Sequence, residues 1–184
     1  MENLDKANNA YTKAKKLMGK TLFRWKPDYE QASRFLRDAI KYYRLAGPNY
    51  SDTLLLVLID SSKCHEEISS YHTAGEHAEN ASKIYIEKQD YLEAAKFYQN
   101  AARLYGLNSS INKCSINYLK AAEIVASKIA FEPAYKLISY ACSNYIDNIE
   151  NCELFHEPIF TKAISICVSN NKFDYTLELL QELV

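Results

Sequence analysis

The sequence predicts an all-α fold, an α-solenoid of about nine helices arranged as antiparallel hairpins. The 184 residues include only 4 Gly and 4 Pro, fewer turn residues than a β-sandwich or barrel needs. No segment shows the alternation of apolar and polar residues typical of a half-buried strand. Large or small apolar residues instead recur at offsets of 3, 7, 10 and 14, which place them on one stripe of an α-helix.

The stripe alternates aromatic rings with alanines, as in Tyr91, Ala94, Tyr98, Ala101 and Tyr105. Copies that start at positions 71, 91, 111 and 131 are 20 residues apart, the length of one helix plus a tight turn. Small residues let helices approach closely while rings fill the neighbouring grooves, so the stripe predicts core packing rather than a cofactor site. The residues expected to be buried between helices are Ala81, Tyr85, Ala94, Tyr98, Ala101 and Ala141.

Each predicted helix rests on a sequence signal of its own. The first two follow stripes that start at Leu4 and Tyr29, and Gly47 with Pro48 ends the second. The third helix covers the apolar run at 53–59, and the 20-residue repeat predicts the positions of the next four helices. The expected ranges are 2–19, 28–46, 51–67, 70–88, 90–106, 109–129, 132–147, 153–169 and 172–183.

Helix starts have local signals as well. Ser109 and Ser110 are expected to cap the sixth helix, and Pro133 suits the first turn of the seventh. The absence of a long linker predicts a single domain over residues 1–184.

The last expected helix reads like an internal one, because it carries several leucines and no polar outer face. Terminal repeats normally have such a face. We therefore expect Leu179, Leu180 and Leu183 to be exposed or covered by another copy of the chain, which would be self-association through the C-terminal helix. The same pattern predicts that the chain belongs to a longer solenoid.

Cysteine spacing and charge limit the classes of protein to which the chain can belong. Five cysteines, an odd number without close pairs, argue against a disulfide framework or a zinc finger. An acidic, polar N-terminus and the lack of an 18-residue apolar run predict an intracellular, soluble protein. Residues 1–48 carry 11 Lys/Arg against 5 Asp/Glu, while 49–184 carry 11 against 18. The basic front predicts a negative partner, with an uneven solvated surface as the alternative.

The sequence contains no recognisable motif for catalysis. The four glycines form no phosphate-binding loop. Cys64, His65, His72 and His77 cluster in sequence without the spacing of a metal site. Cys142 and Cys167 have no basic neighbour to form a thiolate, so buried structural cysteines are expected. The sequence therefore predicts no enzyme and no cofactor.

One segment departs from the repeat. Between the first two helices, Lys20, Arg24 and Lys26 alternate with Leu22, Phe23 and Trp25. Such a mixture on a loop suits the bilayer interface, where rings enter the headgroup region and cations meet anionic lipid. The alternative is a loop whose rings cap the first hairpin.

The same segment carries a family resemblance. Residues 20–32, KTLFRWKPDYEQA, resemble the gamma-type soluble NSF attachment proteins (gamma-SNAPs), above all in the WKPDY core at 25–29. The later Ala/Tyr repeats are similar in spacing to that family's TPR-like hairpins, which form a twisted helical sheet. A full member continues through a C-terminal helical bundle, so we expect this chain to be the N-terminal TPR-like part and not to activate the ATPase.

The resemblance implies an adaptor. SNAPs bind the SNARE four-helix complex through a face of the sheet and present it to the NSF ATPase, in the cytoplasm and peripherally on intracellular membranes. It also implies that Lys20, Leu22, Phe23, Arg24, Trp25 and Lys26 form a membrane-attachment loop. The alternative function is a generic TPR-like scaffold for a peptide or helix. An RNA-binding repeat is disfavoured by the acidic body, because phosphate affinity needs clustered cations.

Overall fold

The computed structural model describes residues 2–19, 26–148 and 158–181. Within these ranges every regular element is helical and no strand occurs, which confirms the predicted all-α class. Nine α-helices and one 3₁₀ turn at Pro48–Tyr50 lie in the described ranges. The helices are α1 (Glu2–Met18), α2 (Tyr29–Ala46), α3 (Ser51–Glu67), α4 (Tyr71–Glu87), α5 (Tyr91–Leu107), α6 (Ile111–Lys128), α7 (Phe131–Asn148), α8 (Pro158–Ser169) and α9 (Phe173–Gln181). The expected ends at 153–157 and 182–183 lie outside the described residues.

The chain divides into two compact units, residues 1–84 and residues 85–184, and the division falls within α4. The single domain over residues 1–184 therefore stays a prediction. In the first unit α1 and α2 are antiparallel, since Lys6 lies 5.8 Å from the Tyr42 ring and Lys13 lies 5.6 Å from the Phe35 ring. The Tyr11 hydroxyl donates to the Asp60 carboxylate at 2.7 Å and ties α1 to α3.

The second unit contains α5 to α9. Lys113 lies 5.0 Å from the Tyr105 ring and Lys128 lies 4.9 Å from the Tyr91 ring, so α5 and α6 are antiparallel. The buried Ser115 hydroxyl donates to the Ala141 carbonyl at 2.9 Å, across the contact between α6 and α7. The small serine lets the two backbones approach while its polar group stays paired.

The tight turns repeat with the same 20-residue period as the stripe. Ser69, Gln89 and Ser109 each adopt a positive φ of 55–62°, the left-handed residue that closes many helix C-termini. In each case the next amide donates to the carbonyl five residues before it, as from Ser110 to Tyr105 at 2.9 Å. Ile129 occupies the equivalent position after α6 with φ −125°, because a β-branched residue disfavours positive φ.

Two of the helix starts are capped by aspartate, and the serine cap was predicted wrongly. Asp28 accepts from the Gln31 amide at 2.9 Å and Asp90 from the Glu93 amide at 3.3 Å. The Ser110 side chain makes no capping hydrogen bond to α6. Its oxygen accepts from the Asn108 side-chain amide at 3.1 Å, and Ser109 belongs to the preceding turn. The serines therefore terminate one helix instead of capping the next.

The predicted core is confirmed at five of its six positions. The four alanines at 81, 94, 101 and 141 have no exposed surface, and Tyr98 is buried. Tyr85 is only half-buried, so its predicted burial was wrong. Its ring stacks on Phe97 with centroids 5.2 Å apart, so it covers one helix face instead of entering the interior.

The C-terminal leucines behave differently from the expectation. Leu179 is 1% exposed and belongs to the core of the second unit, Leu180 is half-buried, and Leu183 lies outside the described residues. The reason is that α9 packs on the start of α7, where the Tyr175 hydroxyl donates to Glu132 at 2.7 Å. Leu177 remains 59% exposed, and self-association through α9 stays a prediction.

Candidate functional site

The predicted membrane-attachment loop lies mostly outside the described residues. Among its six members, Lys20, Leu22, Phe23, Arg24 and Trp25 fall in the range 20–25, which the structure does not describe. Lys26 is described and is exposed. Membrane insertion of the rings and capping of the hairpin therefore both stay predictions. The evidence for the site comes from the two flanks of the segment.

The two flanks of the segment meet at its base. The Asp28 amide donates to the Leu17 carbonyl at 3.0 Å, joining the end of α1 to the start of α2. On the α1 side the Gly19 amide donates to the Lys15 carbonyl at 3.1 Å, and on the α2 side the Asp28 carboxylate caps the helix. The segment thus begins and ends at two points that backbone hydrogen bonds hold together.

Cations surround this base. We define the basic collar as Lys13, Lys15, Lys16 and Lys26, all exposed. The Lys15 ammonium lies 4.8 Å from the Tyr11 ring, and a ring face attracts a cation without neutralising it. The nearby acids are Asp28, which caps α2, and Glu30. The collar therefore places four exposed lysines on the two flanks of the segment.

A second basic feature was not predicted from the sequence. We define the lysine row as Lys113, Lys120 and Lys128 on α6, which lie 5.0, 5.5 and 4.9 Å from the rings of Tyr105, Tyr98 and Tyr91 on α5. Lys128 is exposed and the other two lysines are half-buried. The signal was available, since the tyrosines recur every seven residues and the lysines at nearly the same interval on a helix of opposite direction.

The described cysteines have the environment of packing residues. Cys64, Cys114, Cys142 and Cys167 are all buried. Burial raises the pKa of the Cys64 thiol to about 11, with the charges of Asp60, Glu67 and Asp28 adding to the effect. That thiol donates to the Tyr29 carbonyl at 3.0 Å and contributes to the contact between α2 and α3. A thiol with a raised pKa is a poor nucleophile.

Two features are absent from the described ranges. No group of three or more His, Cys, Asp or Glu side chains there is arranged to hold a metal ion. None of the helices in those ranges has the length and apolar character to cross a bilayer.

Comparison with known proteins gives three findings. The sequence profile of the family described as "Soluble NSF attachment protein, SNAP" matches residues 1–149. Gamma-soluble NSF attachment protein of Dictyostelium discoideum is 24% identical over 165 residues, which are 90% of this chain and 49% of that protein, so the chain spans about half the length of this relative. The crystal structure of BtubC (BKLC) from P. vanneervenii has a TM-score of 0.43 and 11% identity, and the superposition covers 98% of this chain and 88% of that one.

Proposed function

Because the chain belongs to the soluble NSF attachment protein family and is similar to its gamma type, we propose that it acts as an adaptor in vesicle fusion. It binds assembled SNARE complexes and recruits an NSF-type ATPase for their disassembly. Proteins of this family are adaptors and not enzymes. The observation that carries the proposal is the family match over residues 1–149.

The lysine row supports binding to a helical bundle. A four-helix bundle buries its apolar stripe and presents charged side chains outside. Three ammonium groups lie about two turns apart along α6, each over a tyrosine ring of α5, and give a row of positive charge along the helix pair. Complementary rows of charge set the register and speed of association. The row therefore suits an acidic stripe on a long helical partner better than a short peptide.

The basic collar supports a peripheral position on intracellular membranes, with the body of the protein in the cytoplasm. Its four cations lie at the base of the segment 20–26, which contains Leu22, Phe23 and Trp25. Cations near an acidic leaflet and a few inserted apolar groups together give weak, reversible binding. Reversibility suits an adaptor that leaves after each round of disassembly.

Charge reversal in the lysine row tests this proposal. We expect Lys120→Glu/Lys128→Glu to weaken binding to an immobilised, assembled SNARE complex by about tenfold or more, because like charges across an interface repel. The wild-type affinity should fall with added salt more steeply than that of the variant. The measurement is a pull-down titration at two salt concentrations.

The matched control is Lys63→Glu/Lys136→Glu, which changes the net charge equally at two exposed lysines outside the row. This control is expected to keep most of the affinity. Equal affinity for the wild type and the row variant would remove the lysine row from the proposed interface. A thermal melt of each variant excludes loss of fold.

A further inference from the structure

One face of α2 carries four cations, Arg34, Arg37, Lys41 and Arg44, spaced three or four residues apart. This face lines two adjoining cavities within the first unit. One cavity, of about 420 Å³, is lined by Ser33, Arg34, Arg37, His65, Thr73 and His77. The other, of about 450 Å³, is lined by Arg37, Ile40, Lys41, Arg44, Leu45 and His77. We call the two together the α2–α4 cleft.

Cations predominate in the lining of the cleft. Among the residues that the structure describes, no carboxylate belongs to the lining of either cavity. Within the described ranges, no salt bridge joins Arg34, Arg37 or Arg44 to an acidic side chain. Arg37 lines both cavities, with Arg34 beside it in one and Arg44 in the other, so each cavity presents two exposed guanidinium groups that attract an anionic ligand.

Two half-buried imidazoles, those of His65 and His77, line the cleft opposite α2. The rings of His65 on α3 and His77 on α4 have centroids 5.4 Å apart. The Nδ1 atom of each is buried and has no hydrogen-bond partner in the described protein. Buried polar atoms are normally paired, so two unpaired nitrogens beside a cavity favour a ligand that hydrogen-bonds there.

The lining is a set of donors suited to phosphoryl oxygens. Guanidinium groups donate to phosphate in a bidentate way, and the Thr73 hydroxyl and one N–H of each neutral imidazole add further donors. The two cavities share Arg37 and His77, so a ligand with two separate anionic groups can occupy both. We propose that the α2–α4 cleft is a binding site for a polyphosphorylated small molecule or lipid headgroup of the inositol phosphate type.

This ligand fits better than an acidic protein surface. The two cavities, of about 420 and 450 Å³, are of the size of small-molecule sites, whereas a helical bundle presents a broad convex surface. The inference goes beyond the SNARE adaptor role and uses residues outside the lysine row and the segment 20–26. Its failure would leave the proposed function unchanged.

Binding should strengthen as the pH falls. In the free protein, burial together with His65 and Arg44 lowers the pKa of His77 to about 4, against the opposing effect of Glu76, and burial with Arg37 lowers that of His65. A bound anion stabilises the imidazolium form and raises the pKa of both histidines. The complex then takes up protons, so affinity increases as the pH falls from the bound-state pKa towards about 4.

The test is titration calorimetry of the full chain with inositol hexakisphosphate. Arg37→Ala removes the cation shared by both cavities and should weaken binding at least tenfold, whereas Arg37→Lys should have an intermediate effect. The matched control is Arg103→Ala, since Arg103 is an exposed arginine on α5 that donates to Asn100 at 2.9 Å. Absence of binding to the wild type, or equal loss in the Arg37 and Arg103 variants, would overturn the proposal.

Vesicles separate the two sources of the ligand. Flotation with phosphatidylinositol 4,5-bisphosphate vesicles above that with phosphatidylserine vesicles of equal charge, lost in Arg37→Ala, supports a lipid headgroup. Calorimetric binding without this difference supports a soluble inositol phosphate. If Arg37→Ala weakens binding to the SNARE complex and leaves inositol hexakisphosphate binding unchanged, the cleft is a protein interface and the proposal is wrong.

Discussion

The double variant Phe23→Ser/Trp25→Ser is expected to lose flotation with phosphatidylserine vesicles. Each ring contributes roughly 1–2 kcal/mol when it leaves water, so losing both reduces membrane partitioning by roughly 30-fold to 1,000-fold. The cations Lys20, Arg24 and Lys26 contribute about 1 kcal/mol each near an acidic leaflet at low salt. Because they alone do not anchor a protein stably, the variant should remain in the soluble fraction.

The control for this experiment removes two exposed apolar side chains elsewhere. Phe173 and Leu177 on α9 are 58% and 59% exposed, so Phe173→Ser/Leu177→Ser changes a similar apolar area outside the segment. That control should float like the wild type, and wild-type flotation should decrease with added salt. Equal flotation of the wild type and the Phe23/Trp25 variant would show that the rings cap the hairpin instead of entering the membrane.

The second large effect is expected from Ala101→Leu. Ala101 has no exposed surface, and its place in the stripe requires a small side chain where helices pack closely. Three additional carbon atoms overpack the site, which costs roughly 1–3 kcal/mol. For a chain of this length each kcal/mol lowers the melting temperature by about 2–4 °C.

The matched control for overpacking is the same substitution at an exposed alanine. Ala130 lies in the turn after α6 and is exposed, so Ala130→Leu should change stability by less than about 0.5 kcal/mol. The measurement is thermal or urea unfolding followed by circular dichroism. An unchanged melting temperature for Ala101→Leu would contradict the close-packing role of the small residues.

The sequence predicted the features that depend on local periodicity. The stripe with its 20-residue spacing placed the helices within a few residues, because each repeat fixes its own turn, as Gln89 and Ser109 show with their positive φ. Two expectations failed where a residue in another element decided the outcome, and a third failed within a single turn. Leu179 is covered by its own fold, Tyr85 stacks on Phe97, and the Ser110 oxygen is used by Asn108.

Two of the three basic surfaces, the α2–α4 cleft and the lysine row, were also not predicted from the sequence. The charge excess of residues 1–48 predicted a negative partner without locating it. The α2–α4 cleft brings Arg37 together with His65 and His77, residues separated by 28 to 40 positions whose proximity depends on the packing of three helices. The lysine row depends in the same way on the antiparallel order of α5 and α6.

The central claim, an adaptor for SNARE complexes, is tested most directly by co-sedimentation of the wild-type chain. One sample contains the assembled SNARE four-helix complex, and the others contain each SNARE strand alone at equal concentration. We expect saturable binding to the assembled complex and at least tenfold weaker binding to any single strand. Equal or tighter binding to an isolated strand would contradict the account and indicate a TPR-like scaffold with a groove for a peptide.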